Sequence, residues 1–188
     1  MYKRQVQAWL TQLDLASANT PCHVLLTPGH AQALAAKWQP PEGSHLQLHM
    51  LPALPQPQFD LLLQACDLNV VRGEDSAVSA LWAGRPHLWH IYHQDDNAHA
   101  PKLEAFMAHW MADWPPALKA SVQQLWRAFN KLAPTDLSSA NDFQHFDALW
   151  QGPAWAHWQA FSAQSSMDQA QTPDLVARLE SFVAKLSC

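Results

Sequence analysis

The sequence is poor in basic residues, with 11 Lys and Arg in 188 residues and a net charge of -5. A protein that binds the phosphate backbone of nucleic acids needs a basic face, so the composition argues against that class. No apolar run approaches the ~18 residues of a membrane span, and no secretory signal pattern opens the chain. We therefore expect neither a nucleic-acid partner nor a membrane partner.

Cysteine is also scarce, and Cys22, Cys66 and Cys188 have neither metal-ligand nor redox-pair spacing. This favours reduced thiols in the cytoplasm and no bound metal. Apolar residues make up 48% of the chain, which is enough for one domain or a small domain with an extension. The ten tryptophans are many for this length, and we expect them to pack in the core and between helices.

The first five residues, MYKRQ, can be encoded by a sequence that is unusual for a native start. The codons TAT AAG AGA CAG after a start codon encode them, and this string resembles the end of a transposon adapter used in library preparation. We hypothesise that the reading frame begins in adapter and that coding sequence is missing upstream. Residues 1–5 are therefore expected to be a non-native start of the chain.

The chain up to about residue 96 alternates between strand and helix patterns. Strand signals occur at residues 23–26, 46–50, 68–71 and 87–92, and helical periodicity occurs at residues 5–18, 30–38, 57–66 and 75–83. Gly84 fits a left-handed helix end. Parallel strands need such helical crossovers, so we predict an α/β fold with a Rossmann-like, doubly wound parallel sheet.

The second part of the chain carries only helical signals, at residues 97–111, 116–131, 141–150, 153–164 and 174–186. The Ser- and Gln-rich stretch at 162–171 is predicted to be a loop. We divide the chain into a Rossmann-like domain at residues 6–111 and a helical, Trp-rich extension at residues 112–188 that packs on it.

The sequence RGEDS, from Arg72 to Ser76, lies between a predicted strand and a predicted helix. Ligands of open α/β sheets bind at this end of the strands, and a helix N-terminus attracts phosphate. Gly73 would allow close approach of backbone, and Ser76 and Arg72 could bond phosphate oxygens. Alternatively, Asp75 caps the helix and competes for the same amides. These two interpretations are about equally supported by the residues alone.

The context extends the pattern to Gly84-Arg85-Pro86 and then Gln94-Asp95-Asp96-Asn97. This layout resembles the nucleotide-sugar half of GT-B glycosyltransferases. The literal strings CDLNVVRGEDS and WAGRPHLWHIYHQDDNAHAPKLEAF closely resemble the bacterial elongation factor P arginine rhamnosyltransferases, over residues 51–106. The resemblance implies an inverting enzyme that transfers rhamnose from dTDP-β-L-rhamnose to an arginine of elongation factor P, with no metal or other cofactor. This chain would be the donor-binding half, and the half with the catalytic aspartates would lie upstream.

The resemblance also assigns roles to particular residues. Glu74 would lie at the donor sugar and be needed for turnover, and the diphosphate would meet Arg72, Asp75, Ser76 and Tyr92. Gln56 falls in LPALPQ, the segment that would bind thymine. One departure is Ala53, where the family often has a Phe that can stack on the base.

Two other functions stay open at this stage. One is a nucleotide-sugar glycosyltransferase that acts on a small molecule, and the other is a non-enzymatic α/β module that binds a nucleotide or a partner. His87, His90 and His93 might suggest a metal site, but spacing of three on a strand alternates faces. We therefore predict that they do not converge and have structural or surface roles.

Overall fold

Parallel strands and helices alternate through the first half of the computed structural model, which describes residues 2–17, 20–132, 146–150 and 152–186. The strands are β1 (Cys22–Leu26), β2 (Leu46–Met50), β3 (Asn69–Arg72) and β4 (His87–His90). The helices are α1 (Tyr2–Ala16), α2 (His30–Ala35), α3 (Gln56–Ala65), α4 (Glu74–Ala83), α5 (His99–Trp110), α6 (Pro116–Phe129), α7 (Phe146–Trp150), α8 (Pro153–Gln171) and α9 (Leu175–Leu186).

The four strands form two parallel pairs. In the first pair Cys22 lies opposite Leu46, and in the second Asn69 lies opposite His87. The predictions of parallel strands and helical crossovers are confirmed. The continuous doubly wound sheet is not seen among the described residues, because hydrogen bonds join β1 only to β2 and β3 only to β4.

Local sequence signals position most elements well. Pro57 lies in the first turn of α3, where its missing N–H costs no helical hydrogen bond. Gly84 has φ 66° and ends α4 in the left-handed conformation that glycine adopts without strain. The last predicted strand is two residues too long: β4 ends at His90, so Tyr92 lies in the loop beyond it.

Helix α6 and the residue after it fasten the helical region to both ends of β4. The buried Asn130, which follows α6, accepts a hydrogen bond from the Ile91 N–H at 2.9 Å and donates one to the Trp89 carbonyl at 2.8 Å. The indole of Trp126 donates to the His87 carbonyl at 3.1 Å. These bonds satisfy buried backbone groups beside β4 that would otherwise destabilise the fold.

The predicted loop at residues 162–171 is wrong, since these residues continue α8 to Gln171. Ser162 is buried, and the Ser166 hydroxyl donates to the Trp82 carbonyl of α4 at 2.9 Å. Packing against α4 therefore overrides the weak helix preference of serine. The predicted helix at 141–150 is seen as α7 from Phe146, and residues 141–145 lie outside the described residues.

The hydrophobic core joins α1 to the sheet and to the helical region. The Trp9 ring of α1 meets Phe129 of α6 edge to face, with ring centroids 5.7 Å apart, and meets Phe146 of α7 at 4.6 Å. Trp126 and Trp158 are fully buried, as expected for tryptophans that pack between helices. Trp82, by contrast, keeps about half of its surface exposed. Among the described residues, no helix is long and apolar enough to cross a bilayer.

Candidate functional site

The RGEDS motif forms the junction between β3 and α4, with Gly73 between the two elements. Gly73 precedes α4 as its N-cap with φ 84° and ψ 165°, a conformation that essentially only glycine adopts. Gly73 is the N-cap of α4 and no side chain caps the helix, so the alternative in which Asp75 caps it is not seen. Asp75 lies within that turn and is exposed, and Ser76 is partly exposed beside it. The N-terminal amides of α4 are thereby oriented toward the carboxyl end of the strands.

Tyr92 covers the backbone at this turn. A Cβ atom on Gly73 would lie 3.1 Å from the Tyr92 ring carbon Cε2, so only glycine fits without moving the ring. The guanidinium carbon of Arg72 lies 4.8 Å from the centroid of the same ring, in cation–π contact. Half of the tyrosine surface is exposed, and Arg72 is exposed as well. The structure therefore brings Arg72, Gly73 and Tyr92 together, as the motif predicts.

Glu74 is held by a lysine from a distant part of the chain. The Lys102 ammonium on α5 donates to the Glu74 carboxylate at 2.8 Å, and both side chains are exposed. This hydrogen bond lowers the pKa of Glu74 below its ordinary value. Lys102 also lies over the Trp89 ring, with its Nζ atom 5.7 Å from the centroid. Glu74 is thus an ionised, oriented carboxylate at the start of α4.

Three imidazoles follow one another from the carboxyl end of β4, and Arg72 lies near the first two, His90 and His93. The ring centroids of His90 and His93 are 5.8 Å apart, and those of His93 and His99 are 4.5 Å apart. Burial, followed by the charge of Arg72, lowers the pKa of His90 to about 4, so this imidazole is neutral at pH 7. Burial also lowers the pKa of His93, with smaller contributions from His99, Lys131 and Arg72.

The expectation that the three strand histidines stay apart is correct for His87 and wrong for the other two. His87 is buried against Trp110 and Trp126, with ring centroids 4.5 Å and 5.5 Å away. His90 and His93 approach each other because β4 ends at His90 and the chain turns there. Within the described part of the chain, no group of three His, Cys, Asp or Glu side chains could hold a metal ion.

The predicted thymine-binding segment follows the other pair of strands. Gln56 begins α3, which follows the carboxyl end of β2, and its amide donates to Asp60 at 2.8 Å. Gln56 and Ala53 are both exposed. The Gln56 amide is therefore engaged within its own helix in this structure, and a base would have to compete with Asp60 for it.

Sequence reasoning missed Lys102, Lys131 and His99 as members of this region. Lys102 lies inside the string that resembles the family and Lys131 lies outside it, and each is distant in sequence from the residues that it influences. His99 is buried, and its Nδ1 accepts a hydrogen bond from the Gln94 N–H at 3.1 Å, which shapes the loop after β4. The only sequence signal was the position of α5 immediately after that loop.

The family model for the elongation factor P (EF-P) rhamnosyltransferase EarP matches residues 1–184. The chain belongs to this family. A protein-arginine rhamnosyltransferase of Pseudomonas putida is 38% identical, over 95% of this chain and 47% of its own length. One of Pseudomonas aeruginosa is 36% identical, over 94% of this chain and 46% of its own length.

A solved structure is similar in fold as well as in sequence. It comes from work on the structural basis for EarP-mediated arginine glycosylation of translation elongation factor EF-P, with a TM-score of 0.73 and 34% identity. The match covers 96% of this chain and 57% of that chain. This chain therefore spans about half the length of the two Pseudomonas relatives and somewhat more of the solved one.

Proposed function

We propose that this chain is the donor-binding half of an inverting GT-B enzyme that rhamnosylates an arginine of elongation factor P. The donor is dTDP-β-L-rhamnose, used without a metal or other cofactor, and the reaction takes place in the cytoplasm. A half that lies upstream in the full-length protein binds the acceptor protein and carries its catalytic carboxylates. In this proposal the two pairs of strands belong to one Rossmann-like sheet.

The observation that carries the proposal is the convergence of cationic and amide groups at the β3–α4 turn. Arg72 lies against Tyr92, and the uncapped start of α4 follows directly. A diphosphate bound there would meet the helix amides, the Arg72 guanidinium and the hydroxyls of Ser76 and Tyr92. Asp75 would contribute through its backbone amide, since its carboxylate would repel the anion.

Glu74 is suited to the donor sugar rather than to the diphosphate. Its carboxylate is ionised and is oriented by Lys102, so it can accept hydrogen bonds from sugar hydroxyls. The imidazole of His90 is neutral, so it adds no full positive charge beside the site and does not repel the substrate. We therefore assign Glu74 to sugar positioning in the transition state.

The transfer itself requires two partners. A guanidinium nitrogen forms a bond to the anomeric carbon while the bond from that carbon to the phosphate oxygen breaks, and dTDP leaves with the electron pair. A carboxylate of the upstream half accepts the guanidinium proton, because a protonated arginine is a poor nucleophile. The residues of this chain stabilise the charge that develops on the departing diphosphate.

Calorimetry with dTDP, UDP and a no-nucleotide control tests the donor assignment. We expect the 188-residue chain to bind dTDP weakly and in preference to UDP, and to transfer no sugar by itself. Tighter binding of UDP would favour a glycosyltransferase with another donor. Binding of neither nucleotide would favour a non-enzymatic module, and arginine rhamnosylation by this chain alone would contradict the assigned division of roles.

The role of Glu74 is tested in a chimera that joins this chain to the part of the P. putida relative that it does not match. Glu74→Ala should lower kcat at least tenfold, because an interaction that strengthens in the transition state is lost, while dTDP affinity changes little. Glu42→Ala is the matched control, since Glu42 is exposed at the opposite, amino end of the strands. Wild-type kcat in Glu74→Ala would overturn the assignment.

A further inference from the structure

Helix α6 ends in a turn that contains an unusual residue. The Leu132 N–H donates to the Arg127 carbonyl at 2.8 Å, and the Lys131 N–H donates to the Ala128 carbonyl at 3.1 Å. This pair of bonds defines a Schellman motif, in which the residue after the helix cap has the left-handed conformation. Lys131 occupies that position, directly after the cap residue Asn130, and has φ 57°.

Lysine is a costly residue in this conformation. A left-handed residue with a side chain brings its Cβ atom too close to the following carbonyl oxygen, and glycine avoids this cost. Helix α4 ends in the same conformation, and there the chain has Gly84. Among the described residues other than glycine, only Asn97 shares a positive φ with Lys131, and asparagine tolerates it. Strained residues of this kind cluster at active sites and ligand-binding sites.

The backbone of Lys131 is held at the carboxyl end of β4. Its neighbour Asn130 accepts a hydrogen bond from the Ile91 N–H at 2.9 Å and donates one to the Trp89 carbonyl at 2.8 Å. Ile91 directly follows β4, and Tyr92 is the next residue. Lys131 is exposed, and it lies at the same end of the β3–β4 pair as the start of α4.

The charge of Lys131 acts on the same imidazoles as the charge of Arg72. Burial is the main cause of the lowered pKa of His90, and Arg72 and, less strongly, Lys131 lower it further. Burial also lowers the pKa of His93, followed by His99, Lys131 and Arg72. Two cations that lie near the same pair of imidazoles repel each other, and an anion bound near both would relieve this repulsion.

We propose that Lys131 is a second cationic ligand of the donor diphosphate, and that the strained end of α6 presents it to the site. This proposal rests on the proposed function and adds to it a residue far from the RGEDS motif. The planar Arg72 guanidinium can bond two phosphate oxygens at once, and the Lys131 ammonium is a compact charge for the other phosphate group. Both would stabilise the charge that develops on the departing dTDP.

Stability and donor binding should move in opposite directions when glycine replaces Lys131. Lys131→Gly removes the left-handed strain, so it should raise the urea midpoint of the 188-residue chain by about 0.3–0.5 M. The same variant loses a charge-assisted hydrogen bond, so it should weaken dTDP binding by the P. putida chimera at least about fivefold. A lysine that only stabilises the helix end would give a lower midpoint in Lys131→Gly, and that result would overturn the proposal.

Three further variants separate the charge from the strain. Lys131→Ala keeps the strain and loses the charge, so its midpoint should change by less than about 0.2 M while dTDP affinity falls as in Lys131→Gly. Lys131→Arg keeps the charge and should retain dTDP affinity within about twofold. Lys37→Ala is the matched control, since Lys37 is exposed after α2, which connects the other pair of strands. Equal loss of affinity in Lys37→Ala and Lys131→Ala would reduce the effect to net charge and refute the proposal.

Calorimetry with dTDP, inorganic pyrophosphate and thymidine identifies the part of the donor that Lys131 contacts. Lys131→Ala should weaken the binding of dTDP and of pyrophosphate and leave the binding of thymidine unchanged. Weaker binding of thymidine by the same factor would show that the substitution disturbs the nucleoside region, and would contradict a phosphate contact.

The same titrations separate this proposal from the proposed function. Pyrophosphate binding that depends on Lys131, in a chimera that binds no dTDP, would support the phosphate contact and refute the dTDP donor. Equal dTDP affinity in the wild-type chimera and in Lys131→Ala would support the donor and refute the role of Lys131. Binding of neither ligand by the wild-type chimera would refute both.

Discussion

Alanine at position 73 is expected to damage both stability and donor binding, because two separate costs meet at this glycine. With φ 84° and ψ 165°, Gly73 has a conformation that costs other residues about 1–3 kcal/mol. A Cβ there would also lie 3.1 Å from Tyr92, in a contact closer than side chains normally make. Gly43 provides the matched control, since it has φ 79° and open space where its Cβ would lie.

Comparing Gly73→Ala with and without the Tyr92 ring isolates the contact with Tyr92. Both variants should lose stability through backbone strain. Gly73→Ala should lose about 1 kcal/mol more, which is at the low end of overpacking costs, because the half-exposed Tyr92 ring can move. Urea denaturation followed by tryptophan fluorescence measures both losses. In a Tyr92→Ala background the extra loss at Gly73 should disappear, which makes the three variants a double-mutant cycle.

Donor binding gives the functional side of the same prediction. A displaced Tyr92 ring would no longer support Arg72, whose guanidinium lies 4.8 Å from the ring centroid. Loss of one charge-assisted hydrogen bond to the diphosphate costs about 1.5–3 kcal/mol, or roughly 10- to 100-fold in Kd. We expect Gly73→Ala to weaken dTDP binding by at least tenfold and Gly43→Ala to leave it unchanged. Equal stability losses in both Tyr92 backgrounds, with unchanged dTDP affinity, would refute the reasoning.

Two further predictions concern the packing that supports the site. Burial lowers the pKa of His87 to about 4, below the ordinary value of 6.5. Between these two pH values the unfolded chain binds more protons than the folded chain does. The free energy of unfolding should therefore fall by up to about 3 kcal/mol as the pH drops from 7 to 4. Urea denaturation at several pH values should show a shallower decline in His87→Leu than in the exposed control His157→Leu, and identical slopes would contradict this. Asn130→Ala should cost about 2–4 kcal/mol by leaving the buried Ile91 N–H and Trp89 carbonyl unpaired. Gln124→Ala, at an exposed position on α6, should cost under about 0.5 kcal/mol by the same measurement.

Elements that depend on local chemistry were predictable from the sequence. The alternation of Leu46, Leu48 and Met50 marked β2, and Gly84 marked the end of α4, because strand pleating and left-handed φ values act within a few residues. The sequence also placed RGEDS between a strand and a helix, and the structure extends that strand to Arg72 and begins the helix at Glu74. The donor-binding roles of Gln56, Arg72, Asp75, Ser76 and Tyr92 and the catalytic role of Glu74 stay predictions.

Features that depend on distant residues were not predictable. The Ser-rich part of α8 is helical because Ser166 bonds to Trp82, 84 positions away in sequence. The alternative in which Asp75 caps α4 failed because the helix begins at Glu74, one residue earlier than predicted, and Gly73 occupies the N-cap position. The histidines meet because β4 stops early, and nothing in the spacing of His90 and His93 indicates where the strand ends.

The carboxylates of Glu74 and Asp75 at the start of α4 would repel an anion bound there. The structure shows a compensating cation for Glu74. Glu74 is paired with Lys102 at 2.8 Å, so its charge is offset by a group that the motif does not contain. Arg72 and Lys131 add to the effect of burial in lowering the pKa of His90 and His93, so two cationic side chains lie on the β4 side of the turn. Asp75 keeps an exposed carboxylate in the first turn of α4, where the helix dipole favours negative charge. A substrate diphosphate would therefore compete only with the Asp75 carboxylate for the N-terminal amides of α4. The cations around Arg72 would favour the diphosphate on the side of the turn that faces Tyr92.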